Sequence, residues 1–253
     1  MRKWALVVAA LLATGKVALA DGMGPPAAAC CAAPTWSGVY AGFAAGAAFA
    51  DTGWGFPFVE SFNTAPGQHF ATRPDGGLAG GQVGINQQLG QQLGGIVLGA
   101  ELAFVGTEAR ETLTSLPAFA QERFKTSLSD LLTITGRAGV PIGNFLLYGK
   151  AGYADAHVDL GALSVATGTS ADASRTEGGW TAGAGWEWRI GRSLIFGVEY
   201  DYVDLSSSRL SGVTGGAAPG LPFHVDLDSV RSQTVMARLS ILLDRSPGQA
   251  SAK

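Results

Sequence analysis

The sequence is short of charge, cysteine and histidine and has no second long apolar run, and each shortage removes a class of protein. Only 15% of its 253 residues are Asp, Glu, Lys or Arg, against about 25% in a typical soluble domain. That is too little charge for an ordinary water-facing surface. The two cysteines, Cys30 and Cys31, are adjacent; neighbouring thiols close only a strained ring, and two are too few for a disulfide framework or a structural zinc site. They read as linker thiols. The three histidines, His69, His157 and His224, are dispersed along the chain, none with a strand-placed Ser and carboxylate in an evident triad. The sequence calls for no cofactor and no metal. Its longest apolar run lies at the extreme N-terminus, so no later segment supplies the ~20 residues of a transmembrane helix. A membrane crossing would have to be made by strands.

Residues 1–20 read as an export signal. Arg2 and Lys3 form a basic start, Trp4 to Ala13 an apolar stretch, and Ala18-Leu19-Ala20 a small-x-small cleavage site before Asp21. An Ala- and Pro-rich linker is expected over 21–34 and a short tail over 244–253. Removing Arg2, Lys3 and Lys16 from the 17 basic residues leaves 14 against 20 acidic ones. This acidic balance gives no footing for a nucleic-acid partner.

What the chain has in abundance is alternation. In TAGAGWEWRI, Thr181, Gly183, Gly185, Glu187 and Arg189 fall on one face, and Ala182, Ala184, Trp186 and Trp188, with the preceding Trp180, on the other. After Gly191-Arg192-Ser193, the run LIFGVEYDYV sets Gly197, Glu199 and Asp201 against Phe196, Val198, Tyr200 and Tyr202. A three-residue turn pairs 190 with 194, so Trp188 should meet Phe196, Trp186 meet Val198 and Ala182 meet Tyr202. Eight such segments are expected, at about 35–49, 77–87, 95–105, 131–140, 145–156, 179–190, 194–204 and 233–243. Long connections, Ala50 to Gly76, Gly106 to Asp130, His157 to Gly178 and Leu205 to Ser232, alternate with the short ones Gln88 to Gly94, Pro141 to Asn144 and Gly191 to Ser193. Long loops at one end and tight turns at the other are the layout of an outer-membrane barrel.

In that orientation Trp36, Trp186, Trp188 and Phe196 lie towards the periplasmic ends and Trp180, Tyr200 and Tyr202 towards the outer ends, forming two membrane-interface belts. The polar face is rich in glycine, including Gly38, Gly42, Gly46, Gly80, Gly84, Gly99, Gly139, Gly183, Gly185 and Gly197. Such a face makes poor solvent-facing strand but suits a crowded interior, which favours the membrane barrel over a soluble one turned inside out. Glu101, Arg137, Lys150, Glu187, Arg189, Glu199, Asp201 and Arg238 share that face. Eight strands leave a bore just wide enough for side chains to fill, so these charges are expected to pair across the lumen. His224, Asp226 and Asp228, spaced by two, would share a face if the last strand continues above the membrane. The Gly-, Ser- and Thr-rich stretch from Ser164 to Ser174 reads as an exposed loop.

Taken in order, Trp36-Ser37-Gly38-Val39-Tyr40-Ala41-Gly42, Gly80-Gly81-Gln82-Val83-Gly84-Ile85-Asn86-Gln87, Gly99-Ala100-Glu101, Gly136-Arg137-Ala138-Gly139, Leu147-Tyr148-Gly149, Gly179-Trp180-Thr181-Ala182-Gly183-Ala184-Gly185-Trp186-Glu187 and Glu199-Tyr200-Asp201-Tyr202 give a series that resembles the small outer-membrane β-barrels of alphaproteobacteria. These are the immunogenic "porin family" proteins related to the outer-membrane protein A transmembrane barrel. The resemblance covers about 35–243. It implies an all-β, eight-stranded antiparallel up-and-down transmembrane barrel, located in the outer membrane, with four long extracellular loops. Its partners would be outer-membrane lipid, lipopolysaccharide and the barrel-assembly machinery, with no loop ligand specified. The last strand departs from the family in lacking a terminal aromatic: Val235 to Leu243 is followed by DRSPGQASAK. The leading functional expectation is a non-enzymatic barrel for envelope structure and surface contact. A narrow porin for small solutes and a lipid A-modifying barrel enzyme stand as the alternatives.

Overall fold

The computed structural model describes residues 35–56, 67–90, 95–114, 122–228 and 230–243. The signal and linker expected before Thr35, the tail after Leu243 and residues 91–94 of the first short connection fall outside the described residues. The described residues form twelve strands: β1 Gly38–Phe56, β2 Gln68–Thr72, β3 Asp75–Leu89, β4 Ile96–Thr107, β5 Arg110–Thr114, β6 Glu122–Ile142, β7 Phe145–Ser164, β8 Thr169–Ile190, β9 Leu194–Leu205, β10 Ser208–Gly216, β11 Pro222–Leu227 and β12 Val230–Leu243. Eight of them, β1, β3, β4, β6, β7, β8, β9 and β12, pair antiparallel in that order, and β12 returns to β1 with Val39 opposite Leu243 and Asp51 opposite Arg231. Closure leaves this ring no open edge. The tight turns use Gly143 and Gly191 at φ 61° and 68°, a backbone region open to glycine at little cost. The β8–β9 hairpin has the expected register: Ile190 faces Leu194, Trp188 faces Phe196, Trp186 faces Val198 and Ala182 faces Tyr202.

The long connections are the main correction to the sequence reading. Much of each is strand, because the ring continues past the apolar belt. β2 extends the β3 stave along β1, β5 extends β4 along β6, and the β10–β11 pair links β8 to β1. β7 and β8 stay in register from Phe145–Trp188 to Leu163–Ser170, so the stretch expected as a loop over 164–174 is mostly strand, and Ser164, Thr169, Ala171 and Ala173 are buried. The 22 residues of β8 amount to roughly 70 Å of chain, far more than an apolar band about 25 Å tall requires even for a tilted strand.

Along each long strand the sense of the alternation reverses. In the belt the outward residues are apolar, among them Phe43, Leu98, Ile134, Leu147, Leu239 and Ile241, and the inward ones are polar. In the stem above it, Phe124, Val158, Leu160, Phe223 and Val225 point in while Lys125, Asp159 and Asp226 point out. Water has replaced lipid as the outer solvent, so the apolar side chains turn to the axis. In β6 the change is accompanied by a shift of one residue in register with β7 between Leu128 and Leu131. This bulge brings Phe124, Thr126 and Leu128 inward above, where Thr133, Thr135 and Arg137 are inward below.

The interior therefore has three layers. Trp36, Val97, Leu146, Ile195 and Leu242 fill the short-turn end, charged residues span the middle, and an apolar core occupies the stem. That core is capped by aromatics: Trp54 stacks on Phe70 at 5.4 Å, Phe70 meets Phe124 at 4.8 Å, and the Trp54 indole N–H donates to Thr126 Oγ1 at 3.0 Å.

Candidate functional site

The middle layer is built by strands whose inward positions carry charge between glycines. β4 contributes Glu101, β6 Arg137, β7 Lys150, β8 Glu187, β9 Glu199 and Asp201, and β12 Arg238, and all seven are buried. The structure brings all of them together. Arg137 donates to Glu187 at 2.9 Å and lies 3.7 Å from Glu101. Lys150 Nζ is shared by Glu199 at 2.7 Å, Asp201 at 3.1 Å and Glu101 at 3.5 Å. Arg238 bridges Glu101 and Glu199. Each charge thus meets at least one opposite charge across a gap that water would otherwise fill, as burial of ions demands.

Two tyrosines complete the layer. Tyr40 donates its hydroxyl proton to Glu101 at 2.7 Å and accepts from Arg137 at 2.9 Å. Tyr148 donates to Glu199 at 2.5 Å and accepts from Arg238 at 3.1 Å, while the Arg137 guanidinium lies 3.9 Å from the centre of its ring. Both were absent from the sequence-derived set. The signal was available in parity, since Tyr40 lies between inward Gly38 and Gly42 and Tyr148 is two residues before Lys150. Both rings lie over glycine, Tyr40 over Gly84 and Tyr148 over Gly185. Arg189, on the same face, sits lower, where it donates to the carbonyls of Arg192 and Thr35.

Of the seven expected interface aromatics, Trp180, Trp186, Trp188 and Tyr200 are exposed on the outer face and Phe196 and Tyr202 are half-buried there. They form lateral pairs: Trp180 with Tyr202 at 5.4 Å and Trp186 with Phe196 at 6.0 Å, while Phe145 joins Trp188 at 6.1 Å. Trp36 is a correction. It is fully buried among Tyr40, Val97, Leu146 and Leu242, with its backbone N–H donating to Gln88 Oε1 at 2.9 Å. The reason lies in the alternation itself: Trp36 shares parity with Gly38 and Gly42, so the chain carries it into the barrel mouth.

The histidines stand on stem strands rather than in loops. His157 Nδ1 is 3.2 Å from Thr176 Oγ1 and its Nε2 is 3.4 Å from Asp159, on an open sheet face. His69 lies 3.9 Å from Asp228, and His224 and Asp226 share the outward face of β11. Arg209 grips Asp226 through two N–H bonds of 2.5 and 3.0 Å and holds its carboxyl below the usual carboxylate range. Among the described residues, no three His, Cys, Asp or Glu side chains converge as a metal-ligand set.

With this geometry established, known proteins supply the context. Residues 9–224 match the model of the outer membrane protein beta-barrel domain. The 31 kDa outer-membrane immunogenic protein of Brucella melitensis is 32% identical over 219 residues, 81% of this chain and 88% of the relative. The 22 kDa outer membrane protein of Rhizobium leguminosarum bv. viciae is 39% identical over 75 residues, 30% of this chain and 33% of the relative. Among solved structures, OprG from Pseudomonas aeruginosa superimposes with a TM-score of 0.52 at 15% identity, covering 81% of this chain and 96% of that one, a likeness of fold. The closed eight-strand ring, its apolar outer belt and these matches place the protein in the bacterial outer membrane, and the chain belongs to the outer membrane protein β-barrel domain family.

Proposed function

We propose that this chain is a non-enzymatic barrel with a shut lumen, which braces the envelope and presents its stem as a contact surface. The observation that carries this reading is two closures in series: the ion-paired layer of Arg137, Lys150 and Arg238 with four carboxylates, and above it the Trp54–Phe70–Phe124 cap. An eight-stranded bore is just filled by side chains, and here those side chains are tied to one another. The apolar belt between the aromatic pairs suits contact with lipid and lipopolysaccharide after delivery by the assembly machinery. The stem presents polar groups such as Arg73, Lys125, Asp159 and Arg209 to water, as an antigenic surface requires. The immunogenic character in the name of the Brucella relative agrees with that role.

Planar-bilayer recording tests it. Wild-type protein is expected to be silent, and regular conductance steps from it would replace the closed reading with a narrow porin. Recording R137A/R238A alongside shows whether loss of the ion pairs alone opens a path. For the non-enzymatic part, the mass of lipid A is expected to be unchanged on expression; a shift by one acyl chain would make the protein an enzyme.

A further inference from the structure

We propose that Glu122 is a proton-operated latch on the tip of the stem, closing the first rung of β6 and β7 while its carboxyl is neutral and loosening that rung when the carboxyl is charged. Glu122 opens β6 and pairs with Ser164, the last residue of β7. It shares inward parity with Phe124, Thr126 and Leu128, is 6% exposed, and its Oε2 has no hydrogen-bond partner. The buried carboxylates of the middle layer each meet a cation. Among the described residues, none reaches Glu122.

The strands around the tip explain why. On β6 itself Arg123 and Lys125 alternate with Glu122 and are exposed. β5 carries Arg110, also exposed, and Glu111, which accepts from the Arg73 N–H. On β7 His157 and Asp159 pair with each other on the outer face, while on β8 Asp172 is exposed and Arg175 holds Glu177. Arg209 of β10 grips Asp226 of β11, beside which His224 faces outward, and His69 of β2 lies by Asp228. β1 brings only Trp54 and Phe56 inward at this height. The nearby inward hydroxyls of Thr169 and Thr214 are engaged, the first by Thr167 at 3.0 Å and the second by the Ala218 carbonyl.

A carboxyl buried without a counter-charge favours the closed rung only while it keeps its proton. Burial holds Glu122 above the ordinary carboxylate range, and the Ser164 hydroxyl works against that rise. With the folded value above the unfolded one, the stabilising contribution is complete below the unfolded carboxylate range. It is lost as the pH rises through the raised folded value. The sense is opposite to that of Asp226, which Arg209 holds low. The register shift between Leu128 and Leu131 sets this upper part of β6 off from the belt, so the rung can loosen without disturbing the charged layer. Acid surroundings thus tighten the tip, and neutral surroundings relax it.

The test follows amide exchange of the full barrel in zwitterionic detergent micelles, from about pH 4, near the ordinary Glu range, to about pH 8. Peptides from 122–128 and 158–164 are read by mass spectrometry and corrected for intrinsic rates. Wild type is expected to protect them several-fold better at the acid end, with peptides from the belt at 131–140 unchanged. E122Q keeps the shape and stays neutral at every pH, so it should hold the acid level of protection throughout. S164A, which removes the hydroxyl that favours the charged form, should move the wild-type transition to higher pH. Wild-type protection that is constant across the range would overturn the proposal. So would an E122Q barrel that keeps the wild-type pH dependence, which would assign it to another group, or a transition that S164A leaves in place.

Discussion

The hydroxyl of Tyr148 lies 2.6 Å from the point that a Cβ on Gly185 would occupy, and the two residues face each other directly across β7 and β8. A methyl group there displaces the ring that donates to Glu199 and stacks on Arg137. G185A is therefore expected to cost about 1–3 kcal/mol through overpacking. G136A, where an added Cβ meets nothing within 4 Å, should be nearly neutral. Urea unfolding from vesicles, followed by tryptophan fluorescence, measures both.

Lys150 holds three carboxylates at once. Truncating one partner of a buried ion pair leaves uncompensated charge and costs about 3–5 kcal/mol. K150M should fall in that range, and the double variant K150M/E199Q should recover part of the loss. With E199Q measured alone to complete the cycle, losses that simply add would show that Lys150 and Glu199 are not coupled.

Trp36 is inside, whereas Trp186 and Trp188 face lipid. Single-tryptophan proteins in vesicles with brominated acyl chains are expected to separate cleanly, with strong quenching at 186 and 188 and little at 36. Comparable quenching at all three would move Trp36 back to the outer surface.

The Arg209–Asp226 pair ties β10 to β11 in the stem. A carboxyl held below its unfolded range stabilises the fold while ionised, so this contribution is complete at neutral pH. It declines only as the pH falls through the depressed folded value. Amide exchange in β10 and β11 should therefore be insensitive to pairing changes near neutrality and become faster in strong acid, corrected for intrinsic rates. D226N should show the faster exchange at every pH.

The cap offers a further point of attack. Trp54 has no exposed surface and touches Phe56, Phe70 and Phe124, so W54A should cost about 3–5 kcal/mol. Limited proteolysis should then cut the stem while leaving the membrane belt intact.

The sequence made the belt legible because one rule, apolar out and polar in, ran through Trp180 to Tyr202 without interruption. It made the charged layer legible for the same reason, as Glu187, Glu199 and Arg238 share the glycine face. The stem was harder to see. Stretches such as Phe223-His224-Val225-Asp226-Leu227 alternate just as regularly but with the faces exchanged, and their Gly, Ser and Thr neighbours imitate loops. Trp36 lies inside, against the usual preference of tryptophan for interfaces, because the parity it shares with Gly38 decides its face. Tyr40 and Tyr148 are hard to place from sequence because an aromatic in a barrel strand suggests lipid, and the glycines that make room for them, Gly84 and Gly185, lie on other strands.

The register shift in β6 makes the chain sensitive to length in a way that composition does not reveal. Deleting Ser129 would remove the extra residue and leave one unbroken two-residue period, with Asp130 outward and Leu128, Thr126 and Phe124 inward as before and Leu128 still opposite Val158. Deleting both Ser129 and Asp130 would exchange the faces above, driving Arg123 and Lys125 towards the core and Phe124 and Leu128 into water. Substitutions at 129 and 130, and loss of Ser129 alone, should be absorbed easily, while losing both residues should undo the stem. The turn at 165–168, between strands that end beside it, is where this protein can gain or lose residues with least consequence.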